Sequence, residues 1–178
     1  MTTTESKANS APEHGFVADH EALTRFIRQW QECTLPQAAW THAAHVAVAA
    51  YFAFDLGPDQ LSSVMKRGIM KLNESHGNVN GPNSGYHETL TRFWSMVIGS
   101  FVRRGRFASP LEAVRHAVAR FGPERDLYKS FYGFDVVKSR RARQEAIEPE
   151  WGWDPLGDRS QAEARLDLLE HQSRTNKP

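Results

Sequence analysis

Two short histidine clusters contain the residues of this chain that are best suited to chemistry. His42 and His45 form the first cluster, and Tyr86, His87 and Glu88 form the second. Residues three apart lie on the same side of an α-helix, so the imidazoles of His42 and His45 can point at one place. Imidazole is the commonest protein ligand for transition metals. The two clusters therefore predict a site, although they do not name its reaction.

The first hypothesis is a metal site built by three imidazoles. His42, His45 and His87 are each expected on the inward face at the start of a helix. If those two helices are neighbours, three imidazoles surround one point, which is the pattern of catalytic zinc and non-haem iron sites. We therefore expect one divalent transition-metal ion, Fe, Zn, Mn or Ni, to be bound there. Two histidines alone would more often be packing residues, and the third histidine favours metal binding over packing.

Glu88 and Tyr86 are the expected catalytic residues. Glu88 follows His87 directly and so points about 100° away from it on a helix. That direction suits a general base, or a group supporting the metal ligands, better than a metal ligand itself. Tyr86 is expected to position the substrate by hydrogen bonding. Glu74 and His76 are nearby, and whether either joins the site stays open.

The segment at 73–85 is dense in Gly, Asn, Ser and Pro and is predicted to be a loop. A loop of this length inside a small domain is often a binding loop or a lid. A second feature, the basic run at 138–143, could bind a phosphate or carboxylate. A solvated helix face is the commoner outcome for such a run.

Apolar residues recur at helical spacing along most of the chain, and no stretch alternates apolar with polar residues as a half-buried strand does. Asp19, Thr41 and Ser109 are predicted N-caps, and Pro58 or Asp59 is expected to open a further helix. The pattern predicts an all-α fold, a single-domain bundle of five or six helices with an irregular C-terminal segment.

Composition predicts the domain limits and the class of partner. We expect a disordered arm at 1–17, one helical domain at 18–155 and a charged tail at 156–178. The chain has 178 residues, with 22 Lys and Arg against 21 Asp and Glu, a net charge of +1 that argues against nucleic-acid binding. No apolar run is long enough to span a membrane.

The expected partner is a small-molecule substrate, and a homodimer is left open as the oligomeric state. The single cysteine, Cys33, excludes a disulfide within the chain and any metal or redox motif made of two cysteines. The first residues lack the apolar core of a signal peptide, so a cytoplasmic location is expected.

The motif at 40–45, the motif at 85–91 and the segment at 139–149 together resemble a family of small bacterial proteins with no established activity. The resemblance covers roughly residues 23–150 and fits a single domain. It implies that neither terminal segment belongs to the site, and it implies no reaction.

Three functions follow from these patterns, in order of preference. The first is a metal-dependent enzyme acting on a small molecule, either an oxidoreductase or a hydrolase. The second is a metal-free isomerase or lyase that transfers protons with His87 and Glu88. The third is a non-catalytic module that binds a small ligand beneath the loop at 73–85.

Overall fold

A computed structural model describes residues 14–150 of the chain, and within that range the protein is a bundle of six α-helices with no β-strand. The helices are α1 (His20–Gln31), α2 (His42–Ala53), α3 (Pro58–Ser75), α4 (Glu88–Gly105), α5 (Pro110–Phe121) and α6 (Arg140–Gln144). Short 3-10 turns occur at Gly15–Val17, Gln37–Ala39 and Leu127–Ser130. The predicted all-α single-domain bundle is confirmed. None of the described helices combines the length and apolarity that a membrane crossing requires.

The helices begin where the sequence predicts. The carboxylate of Asp19 accepts the Ala22 N–H at 2.7 Å and caps α1. The hydroxyls of Thr41 and Ser109 cap α2 and α5 in the same way, and Pro58 is the first residue of α3. Each cap satisfies a backbone donor that the helix cannot satisfy internally, which is why such residues mark a helix start in sequence.

Helix α2 lies at the centre of the bundle and contacts α3, α4 and α5. Its pattern predicts one inward stripe, but residues on every side of it are buried. A helix that is apolar all round is a core helix. Six of its twelve residues are alanine, and these small side chains let the neighbouring helices approach closely.

The C-terminal part of the described chain is fastened to the start of α4. The hydroxyl of the fully buried Thr89 donates to the Glu145 carbonyl at 2.7 Å and accepts the Ile147 N–H at 3.0 Å. The short helix α6 lies in this segment, and the hydroxyl of Ser139 caps it. Val136 and Ala142 are buried in the same core. The irregular segment is therefore an integral wall of the bundle.

The predicted arm at 1–17 is too long at its C-terminal end. Val17 is buried, the ring of Phe16 stacks on Phe26 at 4.4 Å, and the Arg115 guanidinium donates to the Val17 carbonyl at 2.8 Å. These apolar contacts extend the packed domain to at least residue 14. The remainder of the predicted arm, the last residues of the predicted domain and the predicted tail at 156–178 lie outside the described residues.

We expect Gly68→Ala to destabilise the protein by about 1–2 kcal/mol. A Cβ atom at Gly68 would overlap the indole ring of the buried Trp30, which packs α1 against α3. Overpacking of this kind costs about 1–3 kcal/mol, partly offset by the better helix propensity of alanine. Gly99→Ala is the matched control, because its Cβ would make only ordinary contacts with Leu61 and Pro58. Denaturant unfolding should rank Gly99→Ala as the more stable variant, and the opposite order would contradict the packing argument.

Thr89→Val should lower the free energy of unfolding by about 1–3 kcal/mol, because the isosteric side chain removes two part-buried hydrogen bonds, to the Glu145 carbonyl and from the Ile147 N–H. Thr24→Val, at an exposed position of α1, controls for the loss of a hydroxyl. Equal stabilities of the two variants would show that Thr89 does not hold the C-terminal segment.

Candidate functional site

The N-terminal ends of α2 and α4 open onto one cavity of about 850 Å³, which we call the histidine pocket. Four of the five predicted site residues line it, namely His42, His45, Tyr86 and His87. Its apolar wall is formed by Trp40, Val46, Ala49, Met65, Ile69, Leu90, Trp94, Ile98, Tyr128 and Val137. Its other polar lining includes Asn73, Thr91, Ser95, Arg125, Asp126 and Arg143. A cavity of this size and mixed lining suits a small organic molecule.

The ring of His42 is held by a carbonyl at the end of α5. Its Nε2 lies 3.1 Å from the Phe121 carbonyl oxygen. Because a carbonyl only accepts, Nε2 carries the proton and Nδ1 is unprotonated in the neutral ring. Nδ1 has no hydrogen-bond partner within residues 14–150. The ring also packs against Trp94, with 4.7 Å between the ring centroids.

The ring of His45 is anchored to its own helix. Its Nδ1 donates to the Thr41 carbonyl at 2.8 Å, so Nε2 is the unprotonated nitrogen. No group in the described part of the chain hydrogen-bonds to Nε2. The indole of Trp40 lies over the ring, with 3.7 Å between centroids. His42 and His45 thus both line the histidine pocket, and each has one unprotonated nitrogen that no group of residues 14–150 binds.

His87 is placed differently from the sequence expectation. It is the N-cap of α4 and not a residue inside the helix. Its Nδ1 accepts the Leu90 N–H at 3.4 Å, and its Nε2 donates to the Val136 carbonyl at 3.0 Å. The ring lines the pocket, but both nitrogens are committed to backbone groups. His87 therefore acts as a structural link between α4 and the C-terminal segment.

The donor set for a metal is consequently smaller than the sequence suggests. Within residues 14–150 no group of three His, Cys, Asp or Glu side chains is placed to hold a metal ion. His42 and His45 each keep one nitrogen with a lone pair. His87 would have to release the Leu90 N–H before its Nδ1 could bind an ion. The metal ligation predicted for the three histidines stays a prediction.

Glu88 lies beside the pocket and does not line it. Its Oε2 accepts from the Lys66 ammonium at 2.6 Å and from the Tyr86 hydroxyl at 3.2 Å. Burial, and then the neighbouring Glu88 carboxylate, raise the pKa of Tyr86 well above its usual value. The phenol therefore stays protonated and remains a donor. Glu88 contacts the pocket through Tyr86, and its predicted role as a general base or supporting group stays a prediction.

The predicted loop at 73–85 begins too early, because α3 continues to Ser75. The connection from there to α4 is organised by Asn80. The Asn80 side-chain amide donates to the Met70 carbonyl at 2.9 Å, and its oxygen accepts the Tyr86 N–H at 3.1 Å. Of the two open candidates, the Glu74 carboxylate accepts from Asn80 and His76 donates to the Leu35 carbonyl at 2.8 Å. Neither of these two side chains lines the pocket.

Two arginines that the histidine motifs do not indicate, Arg125 and Arg143, also line the pocket. Arg143 belongs to the basic run, and its guanidinium donates to the carbonyls of Gly85 and Tyr86 at 3.1 and 3.3 Å. Arg125 lies on the turn after α5, exposed at the rim. In the sequence Arg125 is simply a charged residue in a turn, and no local pattern marks it as a binding residue.

The three pocket histidines are biased towards the neutral form. The pKa of His45 is lowered to about 4, chiefly by burial; the hydrogen bond to the Thr41 carbonyl opposes this, and His42 and Arg125 add to it. Burial also lowers the pKa of His42 and of His87, opposed in each case by the hydrogen bond to a carbonyl. All three rings are therefore neutral near pH 7, with the tautomers that their carbonyl partners impose.

No protein-family model, curated protein or solved structure matches this chain. The resemblance to a family of small bacterial proteins stays a prediction, and the site is interpreted from its own geometry.

Protein stability should fall as the pH drops below about 6.5. Histidines of the unfolded chain take up protons near pH 6.5, whereas folded His45 does so only near pH 4. The stabilising difference is complete above the unfolded pKa and is lost as the pH falls through this window. For His45 the loss between about pH 7 and pH 5.5 is about 1 kcal/mol.

Denaturant unfolding at several pH values measures this effect. His45→Gln should flatten the dependence of the unfolding free energy on pH, while His116→Gln, at an exposed histidine of α5, should leave it unchanged. The same slope in both variants would show that His45 titrates normally in the folded protein.

Proposed function

We propose that this protein is an enzyme that acts on a small organic molecule in the histidine pocket and transfers protons with His42 and His45. The observation that supports this most is the presence of two oriented imidazoles, each with one unprotonated nitrogen, in a cavity of about 850 Å³. The proposal replaces His87 and Glu88 as the proton-transfer pair, because both are engaged in structural contacts.

The carbonyl partners suit the two rings to acid–base chemistry. A base works best when a further group fixes its tautomer and stabilises the cation it becomes. The Phe121 carbonyl does this for His42 and the Thr41 carbonyl does it for His45. Since both rings are neutral near pH 7, they can accept a proton or a hydrogen bond from a substrate. The protonated Tyr86 is the complementary donor in the same pocket.

An enzyme must also bind its substrate, and the apolar wall of the pocket provides the surface for this. Trp40 and Trp94 lie beside His45 and His42, so the reacting part of a substrate would be held against an aromatic surface. Aromatic and aliphatic side chains bind the carbon skeleton, and the few polar groups among them fix its orientation.

A metal-dependent enzyme is the second candidate, and one observation favours it. Metal-binding histidines usually donate their second N–H to a carbonyl or carboxylate, as His42 and His45 do here. These two residues would hold a divalent Fe, Zn, Mn or Ni ion, with water or substrate completing its ligands. The ion would supply Lewis-acid chemistry. The proton-transfer proposal ranks first because both nitrogens of His87 are occupied.

The test is consumption of small molecules from a cell extract, followed by mass spectrometry. The wild type and His116→Gln should deplete the same compound, and His42→Gln and His45→Gln should each slow its depletion by about 100-fold or more. Depletion that survives exhaustive chelation supports proton transfer, and depletion restored only by a divalent ion supports the metal-dependent candidate. Equal rates in all four proteins would refute the roles of both histidines.

A further inference from the structure

We propose that the molecule bound in the histidine pocket is an organic anion, an apolar skeleton bearing a carboxylate or phosphate group, and that Arg125 binds the charged group. This inference rests on the proposed function, because it names the substrate class of the same pocket. Arginine is well shaped for this purpose, since its planar guanidinium can donate two parallel hydrogen bonds to either group.

The charges around the pocket leave Arg125 uncompensated. Its guanidinium makes no hydrogen bond or ion pair with any residue in the described range. The adjacent Asp126 carboxylate lines the pocket, but it pairs with Lys129 at 2.8 Å. The nearby Glu88 carboxylate pairs with Lys66 at 2.6 Å. Each of these two carboxylates thus has its own cation, whereas Arg125 has no anion in the part of the chain that the structure describes.

The position of Arg125 is set by the same turn that holds His42. The Phe121 carbonyl accepts from His42 Nε2 and from the Glu124 N–H, and the Glu124 carbonyl accepts the Leu127 N–H at 3.0 Å. Leu127 is buried, so the turn cannot shift freely. The charge of Arg125 disfavours the protonation of His42 and of His45. An anion on Arg125 would lie in the same pocket as these two imidazoles.

Other groups add to the positive potential of the pocket. Arg143 also has no carboxylate partner among residues 14–150 and donates to backbone carbonyls, so its charge remains at the wall. The N-terminal ends of α2 and α4 face the cavity, and a helix N-terminus carries a partial positive charge. Arg143 is held in place by its carbonyl partners, whereas Arg125 is available to bind the ligand.

The apolar wall and the two imidazoles indicate which chemical groups the rest of the ligand carries. Trp40, Trp94 and Ile98 present apolar surface, which excludes a simple inorganic anion as the preferred ligand. The unprotonated nitrogens of His42 and His45 accept hydrogen bonds, so a hydroxyl or amino group on the skeleton would be recognised there. The ligand therefore combines an anionic end, an apolar skeleton and a hydrogen-bond donor.

Isothermal titration calorimetry with matched probe pairs tests this inference. The pairs are 4-hydroxybenzoate with 4-hydroxybenzamide, hexanoate with hexanamide, and phenyl phosphate with phenol, with inorganic phosphate as a further probe. We expect the charged member of at least one pair to bind about tenfold or more tighter than its neutral partner. Which pair shows the preference distinguishes a carboxylate from a phosphate ligand.

Arg125→Gln should remove that preference and leave the binding of the neutral member unchanged. Arg67→Gln, at an exposed site on α3, is the matched control and should behave as the wild type. Binding of the anion should also raise the pKa of His42 and His45, measured from the NMR shifts of their ring protons, because it compensates the charge of Arg125.

The outcomes separate this inference from the proposed function. Equal binding of charged and neutral members, or an unchanged preference in Arg125→Gln, would overturn the anion inference and leave the small-molecule pocket in place. Tighter binding of inorganic phosphate than of any organic probe would also overturn it. No binding of any probe at millimolar concentration would count against both proposals.

Discussion

The neutral imidazole of His87 is the interaction on which the arrangement of the pocket depends. One nitrogen accepts the Leu90 N–H and caps α4, and the other donates to Val136, 49 residues further along the chain. Only the neutral ring can accept at one nitrogen and donate at the other. Thr89 and Arg143 extend the same connection, and together they close the C-terminal segment over the start of α4. The pocket wall formed by Tyr128 and Val137 depends on that closure.

The alanine-rich centre of α2 explains how a pocket of this size exists in a small bundle. A helix with large side chains on every face would fill the space between α3, α4 and α5, whereas α2 contributes only small residues along much of its length. Its larger side chains lie at the two ends, His42 and His45 in the first turn and Tyr51 and Phe52 in the last turn. The core is therefore closely packed around the middle of α2, and the open volume lies at its N-terminal end.

The charged and polar groups around the pocket are of two kinds: some are paired with each other, and others have no partner and can bind a ligand. Glu88, Lys66, Asp126 and Lys129 neutralise one another in pairs. Three histidines remain uncharged because burial and nearby arginines disfavour their protonation. Among residues 14–150, what remains is the Arg125 guanidinium, which has neither an anion nor a backbone partner, and two imidazole nitrogens that no donor binds. Unmatched groups of this kind at a cavity wall are the reason to seek a ligand with the complementary pattern.

The sequence by itself determined the helices and most of their starts, since capping by Asp19, Thr41 and Ser109 and the apolar period are set within a few residues. The start of α4 was the exception, because His87 caps that helix from outside it. The sequence also selected four residues that do line the pocket. Only the tertiary structure decided what those residues can do. The acceptor for His42 lies 79 residues away and that for His87 lies 49 away, and no local pattern encodes such partners. The same holds for Arg125, which became a candidate only when the fold brought its turn beside His42. Local interactions fix where helices form, whereas the protonation and availability of a side chain depend on neighbours that folding supplies.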